Sequence, residues 1–202
     1  NGQTWTQVNN TGTAVREFYR IGTSESRTDM AVGGSQDNGT SILIDSTWYE
    51  WFGGDGMDCH LHWSMPDIWF GNWQFGGMRR TDDFGQTITG VKPNTSNGDW
   101  ITPTVLDRLN EGTMFAGFDT LFKSTDLGDS WTALEDFSFM GNLKHLTIAP
   151  SDSTYLYAAR NSRMFASSDN GQTWSEVSTG LPSQSITRIA VHPRNPQRVI
   201  TT

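Results

Sequence analysis

The chain has 202 residues, 35% of them hydrophobic, with 21 glycines and a formal net charge of −8. That length fits one or two average domains, and modest apolar content with frequent glycine suits an all-β repeat protein. The acidic balance and the lack of a basic stripe argue against nucleic acid as a partner, and no run of about 18 apolar residues marks a membrane span.

Taken in chain order, one short pattern keeps returning. The chain opens in mid-motif with NGQTW, closing on Trp5, which predicts an outer strand near Thr4–Val8. No signal-peptide pattern is visible, but a start inside a motif predicts that the true N-terminus lies upstream. A worn copy, IDSTW, ends at Trp48. RTDDFGQTI is a degenerate copy with Asp82, Gly85, Thr87 and closing Ile88. STDLGDSW carries Asp126, Gly128 and Trp131, and SSDNGQTW carries Asp169, Gly171 and Trp174. The closing positions 5, 48, 88, 131 and 174 are spaced by 43, 40, 43 and 43 residues. LHWSMP, VLDRLN, IAPSDS and VHPRNP begin at 61, 105, 148 and 191, in the same step. A period of roughly 40–45 residues with short strands predicts four-stranded propeller blades. Each blade reads as inner strand, turn, second strand, loop, third strand, SxDxGxTW turn and outer strand.

Residues 1–202 are therefore expected to form a single all-β propeller segment of about five blades. The tail supplies inner and second strands at 186–192 and 198–202, the head only an outer strand. A five-bladed ring closed from these ends would lack one strand and expose edges. The expectation is a segment of a longer propeller of six to eight or more blades, or one half of an assembly. Its partners are then the remaining blades or another subunit.

Within the motif, Asp169 accepts backbone N–H groups across a tight turn, Gly171 permits a positive φ, and Trp174 starts a strand whose ring packs between sheets. Several copies at one period point to scaffold, since a ligand site would more naturally occur once. The motif resembles the Asp-box, or BNR, repeat of sialidases, xyloglucan hydrolases and sortilin-type (VPS10-like) propellers. GGSQDNGT (33–40), WFGGDGMDCHLHW (51–63) and QFGGMRRTDDFG (74–85) are similar to bacterial sortilin-like glycosyl-hydrolase repeats. The resemblance covers essentially the whole chain and implies a propeller fold. It does not select an activity, because such repeats occur in enzymes and binding proteins alike.

Up-and-down blades place the SxDxGxTW turns on one face. The 2–3 loops and the crossings between blades lie on the other. That second face collects Asp37, Asp55, Asp58, Asp119 and Asp136 beside Trp51, Trp73, Phe75, Trp100 and Phe137. Carboxylates bond sugar hydroxyls and flat rings stack on sugar faces, so Trp51, Asp55, Trp73, Trp100 and Asp119 are the ligand-binding candidates. The bland reading is that loops are polar and the rings cover blade edges. Glycoside hydrolysis usually takes two carboxyl groups roughly 5–10 Å apart, and Asp37, Asp55 and Asp58 are the catalytic candidates. A sialidase would also need an arginine cluster, and Arg79, Arg80, Arg160 and Arg163 show no matching spacing. A xyloglucanase-like pair cannot be placed. His60 and His62 share a strand face and form an HxH pair that chelates metal in some sites. His62, however, aligns with Leu106, Ala149 and His192, so no metal is expected, and no cofactor either. Cys59, the single cysteine, is expected as a buried apolar residue and fits a bacterial secreted or an intracellular protein.

The expected function is a secreted or cell-surface bacterial recognition module that binds glycan or protein through the loop face. The alternatives are part of a glycoside hydrolase, or a structural adhesin or stalk segment.

Overall fold

The computed structural model describes residues 3–4 and 16–202. Four antiparallel four-stranded sheets follow one another along the chain. The first is β1 (Arg20–Thr23), β2 (Ala31–Ser35), β3 (Gly39–Ile44) and β4 (Thr47–Phe52). The second is β5 (Cys59–Leu61), β6 (Trp69–Trp73), β7 (Gly77–Thr81) and β8 (Thr89–Gly90). The third is β9 (Thr104–Leu106), β10 (Met114–Gly117), β11 (Thr120–Ser124) and β12 (Thr132–Asp136). The fourth is β13 (His145–Ile148), β14 (Leu156–Arg160), β15 (Arg163–Ser167) and β16 (Ser175–Glu176). A two-stranded sheet, β17 (Ile189–His192) with β18 (Asn195–Thr201), ends the series. The first strand of each sheet neighbours the first strand of the next, so β1, β5, β9, β13 and β17 stand side by side around an axis.

Among the described residues this is an all-β propeller of four complete blades, one fewer than the closing residues predict. Trp5, the first closing residue, lies outside the described residues, as does the predicted head strand beyond Thr4. After Trp174 only the outer strand of blade four and the β17–β18 pair follow.

Alternation at both faces of the central strands explains the packing. In β10, Met114 and Ala116 enter the cluster shared with Phe70, Met78 and Val91 of blade two. Phe115 points the other way, into the cluster with Leu143, Ile148 and Leu156 of blade four. In β14, Leu156 and Ala158 face blade three, whereas Tyr157 and Ala159 face the β17–β18 pair. Each central strand is thus buried on both sides, and the core is a series of sheet-to-sheet layers.

Three turns between third and fourth strands share one bonding pattern. In blade four the Ser167 hydroxyl donates to Asp169 Oδ1 at 2.8 Å and accepts the Gly171 N–H at 2.9 Å. Asp169 accepts the Thr173 N–H at 2.9 Å and the Thr173 hydroxyl at 2.5 Å. Ser124, Asp126, Gly128 and Ser130 repeat this in blade three, with Asp126 taking the Ser130 N–H at 2.8 Å and hydroxyl at 2.5 Å. Blade two corrects the sequence reading by one position. Asp83, not Asp82, accepts the Thr81 hydroxyl at 2.7 Å and the Thr87 N–H at 2.8 Å. Asp82 instead faces Arg80 at 3.5 Å. The spacing agrees, since Asp83 stands two residues before Gly85 as Asp126 and Asp169 stand before Gly128 and Gly171.

The residue pairs Phe84–Gly85, Leu127–Gly128 and Asn170–Gly171 all have positive φ. The glycine is required for more than its dihedral. A Cβ at Gly171 would lie 3.0 Å from Leu134 Cδ1, and one at Gly128 3.0 Å from Val91 Cβ, each on the preceding blade. The closing rings join blades too. Trp131 Nε1 donates to Val91 O at 2.9 Å, and Trp174 packs edge-on against Phe137 with centroids 5.4 Å apart. The IDSTW copy is a different device. Asp45 and Ser46 both have positive φ and make a two-residue hairpin between β3 and β4.

The hydroxyl and N–H of Thr173, with the Ser167 hydroxyl, lower the Asp169 pKa to about 2, and Ser130 and Ser124 do the same for Asp126. A depressed folded pKa contributes stability above the unfolded value near 3.8 and loses it as pH falls toward 2. Asp126→Asn with Asp169→Asn should therefore lower the melting midpoint above about pH 4, with the gap to wild type closing toward pH 2. Gly171→Ala should cost about 1–2 kcal/mol by chemical denaturation, through positive φ and contact with Leu134.

Candidate functional site

The face opposite these turns holds the four 2–3 loops and the crossings. One exposed aromatic corner of this face lies between blades two and three. Phe75 sits in the turn after β6 with φ 62, and its N–H donates to Trp100 O at 3.3 Å. Gly98 N–H donates back to Phe75 O at 3.0 Å, which ties the turn to the crossing loop. The Phe75 and Trp100 rings meet edge to face, with centroids 5.4 Å apart, and are 41% and 37% exposed. Beside them, Asp99 accepts the Trp100 N–H at 2.7 Å through Oδ1 and Arg160 at 3.1 Å through Oδ2. The corner is thus locked to blade four as well.

Other sequence candidates have different places. Trp51 is not on this face. It belongs to β4 and packs between blades one and two, edge-on to Trp69 at 5.7 Å. Trp73 is at the face but half-buried, with Nε1 donating to Gly53 O at 2.8 Å and Arg79 over its ring at 4.4 Å. Phe137 is buried in the core of blades three and four. Asp119 holds the Phe137 N–H through its backbone carbonyl at 2.6 Å, and Asp136 caps its turn by accepting the Ser138 N–H at 2.8 Å.

The three catalytic candidates do not share one cleft. Asp55 accepts the backbone N–H of Asp37 at 2.9 Å, tying the crossing loop to the β2–β3 turn. Asp37 lines a hollow of about 420 Å³ with Glu17, Tyr19, Gln36 and Asn38. Asp58 instead lines a separate cavity on the propeller axis. It is buried and accepts the Thr104 N–H at 2.8 Å and the Thr104 hydroxyl at 2.9 Å, with His60 Nε2 at 3.6 Å. Burial pushes the Asp58 carboxyl up, but His60 and the Thr104 N–H outweigh it and hold it below the usual carboxylate range. An acid catalyst in glycoside hydrolysis needs the opposite shift. Asp58 is therefore a strut between blades two and three.

The axial cavity is about 130 Å³ and lies where the first strands begin. Its lining includes Arg20 at the start of β1, Asp58 before β5, Thr104 of β9, Lys144 and His145 at β13, and Arg188 before β17. Sequence reasoning missed Asp99 and these basic residues. A signal existed: Asp58, His145 and Arg188 each stand four residues before the landmark positions 62, 149 and 192. The arginines considered from sequence are spread out. Arg79 covers Trp73, Arg80 pairs with Asp129 at 2.9 Å, Arg160 with Asp99 at 3.1 Å, and Arg163 with Glu176 at 2.6 Å.

His62 is buried and accepts the Met65 N–H through Nδ1 at 3.1 Å, while His60 bonds Thr104 at 2.9 Å. No group of three potential metal ligands occurs among the described residues. Cys59 is buried with its thiol directed at Val32 O, and burial and the Asp58 charge push its pKa up. No helix among the described residues is long and apolar enough to cross a membrane.

Residues 108–199 match the family described as the DUF6242 beta propeller domain. No curated protein matches the chain. Among solved structures, it is similar to an ancestral GH74 enzyme at 14% identity and TM-score 0.73, covering 89% of this chain and 26% of that one. The GH74 xyloglucanase from Xanthomonas campestris aligns at 12% identity and TM-score 0.68, covering 90% of this chain and 34% of that one. The GH74 enzyme from Niastella koreensis aligns at 16% identity and TM-score 0.64, covering 85% and 25%. The chain thus spans about a quarter to a third of those proteins, and at such identity the likeness is one of propeller fold.

Asp58→Ala should destabilise the protein by about 2–4 kcal/mol in chemical denaturation, because it strands the buried Thr104 N–H and hydroxyl.

Proposed function

We propose that this propeller is a carbohydrate-binding module of a larger secreted or cell-surface bacterial protein, and that glycan lies on the loop face across Phe75 and Trp100. One observation carries the reading. Two large rings stay exposed there, while their turn and crossing loop are held by reciprocal backbone bonds. Rigid exposed rings offer sugar faces a stacking surface with little ordering cost on binding. The neighbouring Asn97, Asp99 and Asn142, joined by the Asn142 to Asn97 O bond at 3.1 Å, supply polar groups at the same corner.

The SxDxGxTW turns support placing the chain among Asp-box, sortilin-like propellers, and the β17–β18 sheet, two-stranded among the described residues, fits a partner that extends it. A second reading, part of a glycoside hydrolase, draws on the fold likeness to GH74 enzymes. In that reading the catalytic carboxylates come from outside this chain, since Asp58 is a strut and Asp55 is engaged by Asp37.

The test is calorimetric titration of the full-length protein with xyloglucan and galacturonan oligosaccharides. Trp100→Ala should weaken glycan binding about tenfold, the loss of about 1.4 kcal/mol expected of one stacked ring. Unchanged affinity would remove this corner as the binding surface.

A further inference from the structure

We propose that the axial cavity takes an oxyanion carried by the glycan, a uronate carboxylate or a sulfate ester, so that the ligand is an acidic polysaccharide. This rests on the glycan reading above. Arg20, Lys144 and Arg188 bring three full positive charges to the cavity, against the single carboxylate of Asp58. That carboxylate is already engaged by Thr104. The excess is local, since the chain as a whole carries a charge of −8.

Five guanidiniums of the chain are paired with carboxylates, whereas among the described residues those of the cavity, like Arg16, Arg79, Arg194 and Arg198 outside it, are not; the cavity is where two such groups meet. Arg27, Arg80, Arg108, Arg160 and Arg163 each form a salt bridge. Arg20 and Arg188 form none among the described residues. Arg20 donates from NH1 to Tyr19 O at 2.8 Å, which leaves most of its donor fork unused. Lys144 has only a loose pairing with Asp99 at 4.0 Å. The cations also oppose one another. Burial lowers the Arg20 pKa and Arg188 lowers it further, while Asp58 works against them. His145 is pressed down by burial first, with Arg188, Arg20 and Lys144 adding to it against a bond to Ile186. An anion seated among these groups removes their repulsion and accepts paired N–H bonds, a geometry that guanidinium offers to planar oxyanions.

Size limits what enters. At about 130 Å³ the cavity is far below the roughly 300–1,000 Å³ of a pocket that engulfs a whole ligand. One charged substituent fits the cavity while the chain lies on the loop face, into which the crossings place its mouth. The cations come from blade one, blade four and the β17 segment, so the site exists only where these three converge.

The test uses the full-length protein in calorimetric titration with oligogalacturonate, its neutral methyl ester and a sulfated galactan oligosaccharide. At low salt at least one anionic oligosaccharide should bind about tenfold or more tighter than the ester. The preference should collapse near 1 M salt, where the screening length is about 3 Å. Arg20→Gln with Arg188→Gln should abolish it and leave ester binding unchanged. Arg188→Gln alone, at an exposed position, should reduce it, and matched melting midpoints show that both variants fold. Which anion is preferred separates carboxylate from sulfate. Equal binding of acid and ester, or a preference that survives the double substitution, overturns the inference and leaves the glycan reading intact. Binding of none of the three removes both.

Discussion

The fold depends on a carboxylate that closes a turn and thereby docks one blade on another. In SxDxGxT the aspartate collects an N–H and a hydroxyl four residues on, and the serine or threonine hydroxyl holds the glycine N–H. Those bonds keep two consecutive residues at positive φ. Only then does the glycine come close enough to touch Leu134 or Val91 of the preceding blade. The same turn aims the closing ring, so that Trp131 reaches Val91 O and Trp174 reaches Phe137. A local hydrogen-bond pattern thus becomes a junction between sheets, repeated at each blade that carries it.

Because that face is spent on docking, the opposite face is open to irregular chain. Its loops are fastened across blades by individual bonds: Asp55 to the Asp37 N–H, Asp58 to Thr104, Asp99 to Trp100 and Arg160. Most of its carboxylates are occupied in this way, which weighs against paired catalytic acids within the chain. What stays available is an aromatic corner at the rim and a cationic cavity on the axis. A polymer lying across the first and dropping one charged substituent into the second would use both.

The aromatic residues show why loop membership alone was a poor guide. Trp51, Trp73 and Phe137 were as plausible for sugar stacking as Trp100. A ring near a blade edge either covers the next sheet or faces solvent, and the choice turns on the angle and distance of a sheet some 40 residues away. Trp51 meets Trp69 and is taken into the junction, and Trp73 is closed off by Phe52 and Arg79. Phe75 and Trp100 find only each other, and so remain exposed.

The sequence by itself determined the period, the strand order within a blade, the role of the SxDxGxTW turn and the loops assigned to each face. These are consequences of local rules: two-residue alternation, turn chemistry and antiparallel neighbours. The assignment of Asp82 failed by one residue although the sequence carried the answer: only Asp83 keeps the two-residue steps from Thr81 and to Gly85 that Asp126 and Asp169 show, and the Thr81 hydroxyl bonds Asp83. Only the tertiary structure decided how many complete sheets form, which rings are exposed, and that Arg20, Lys144 and Arg188 share a cavity. Arg20 lies 124 positions from Lys144 and Lys144 lies 44 from Arg188, and the repeat register that marks His145 and Arg188 does not say that their side chains meet. They meet because the first strands converge on one axis, a distance set by the packing of every blade between them.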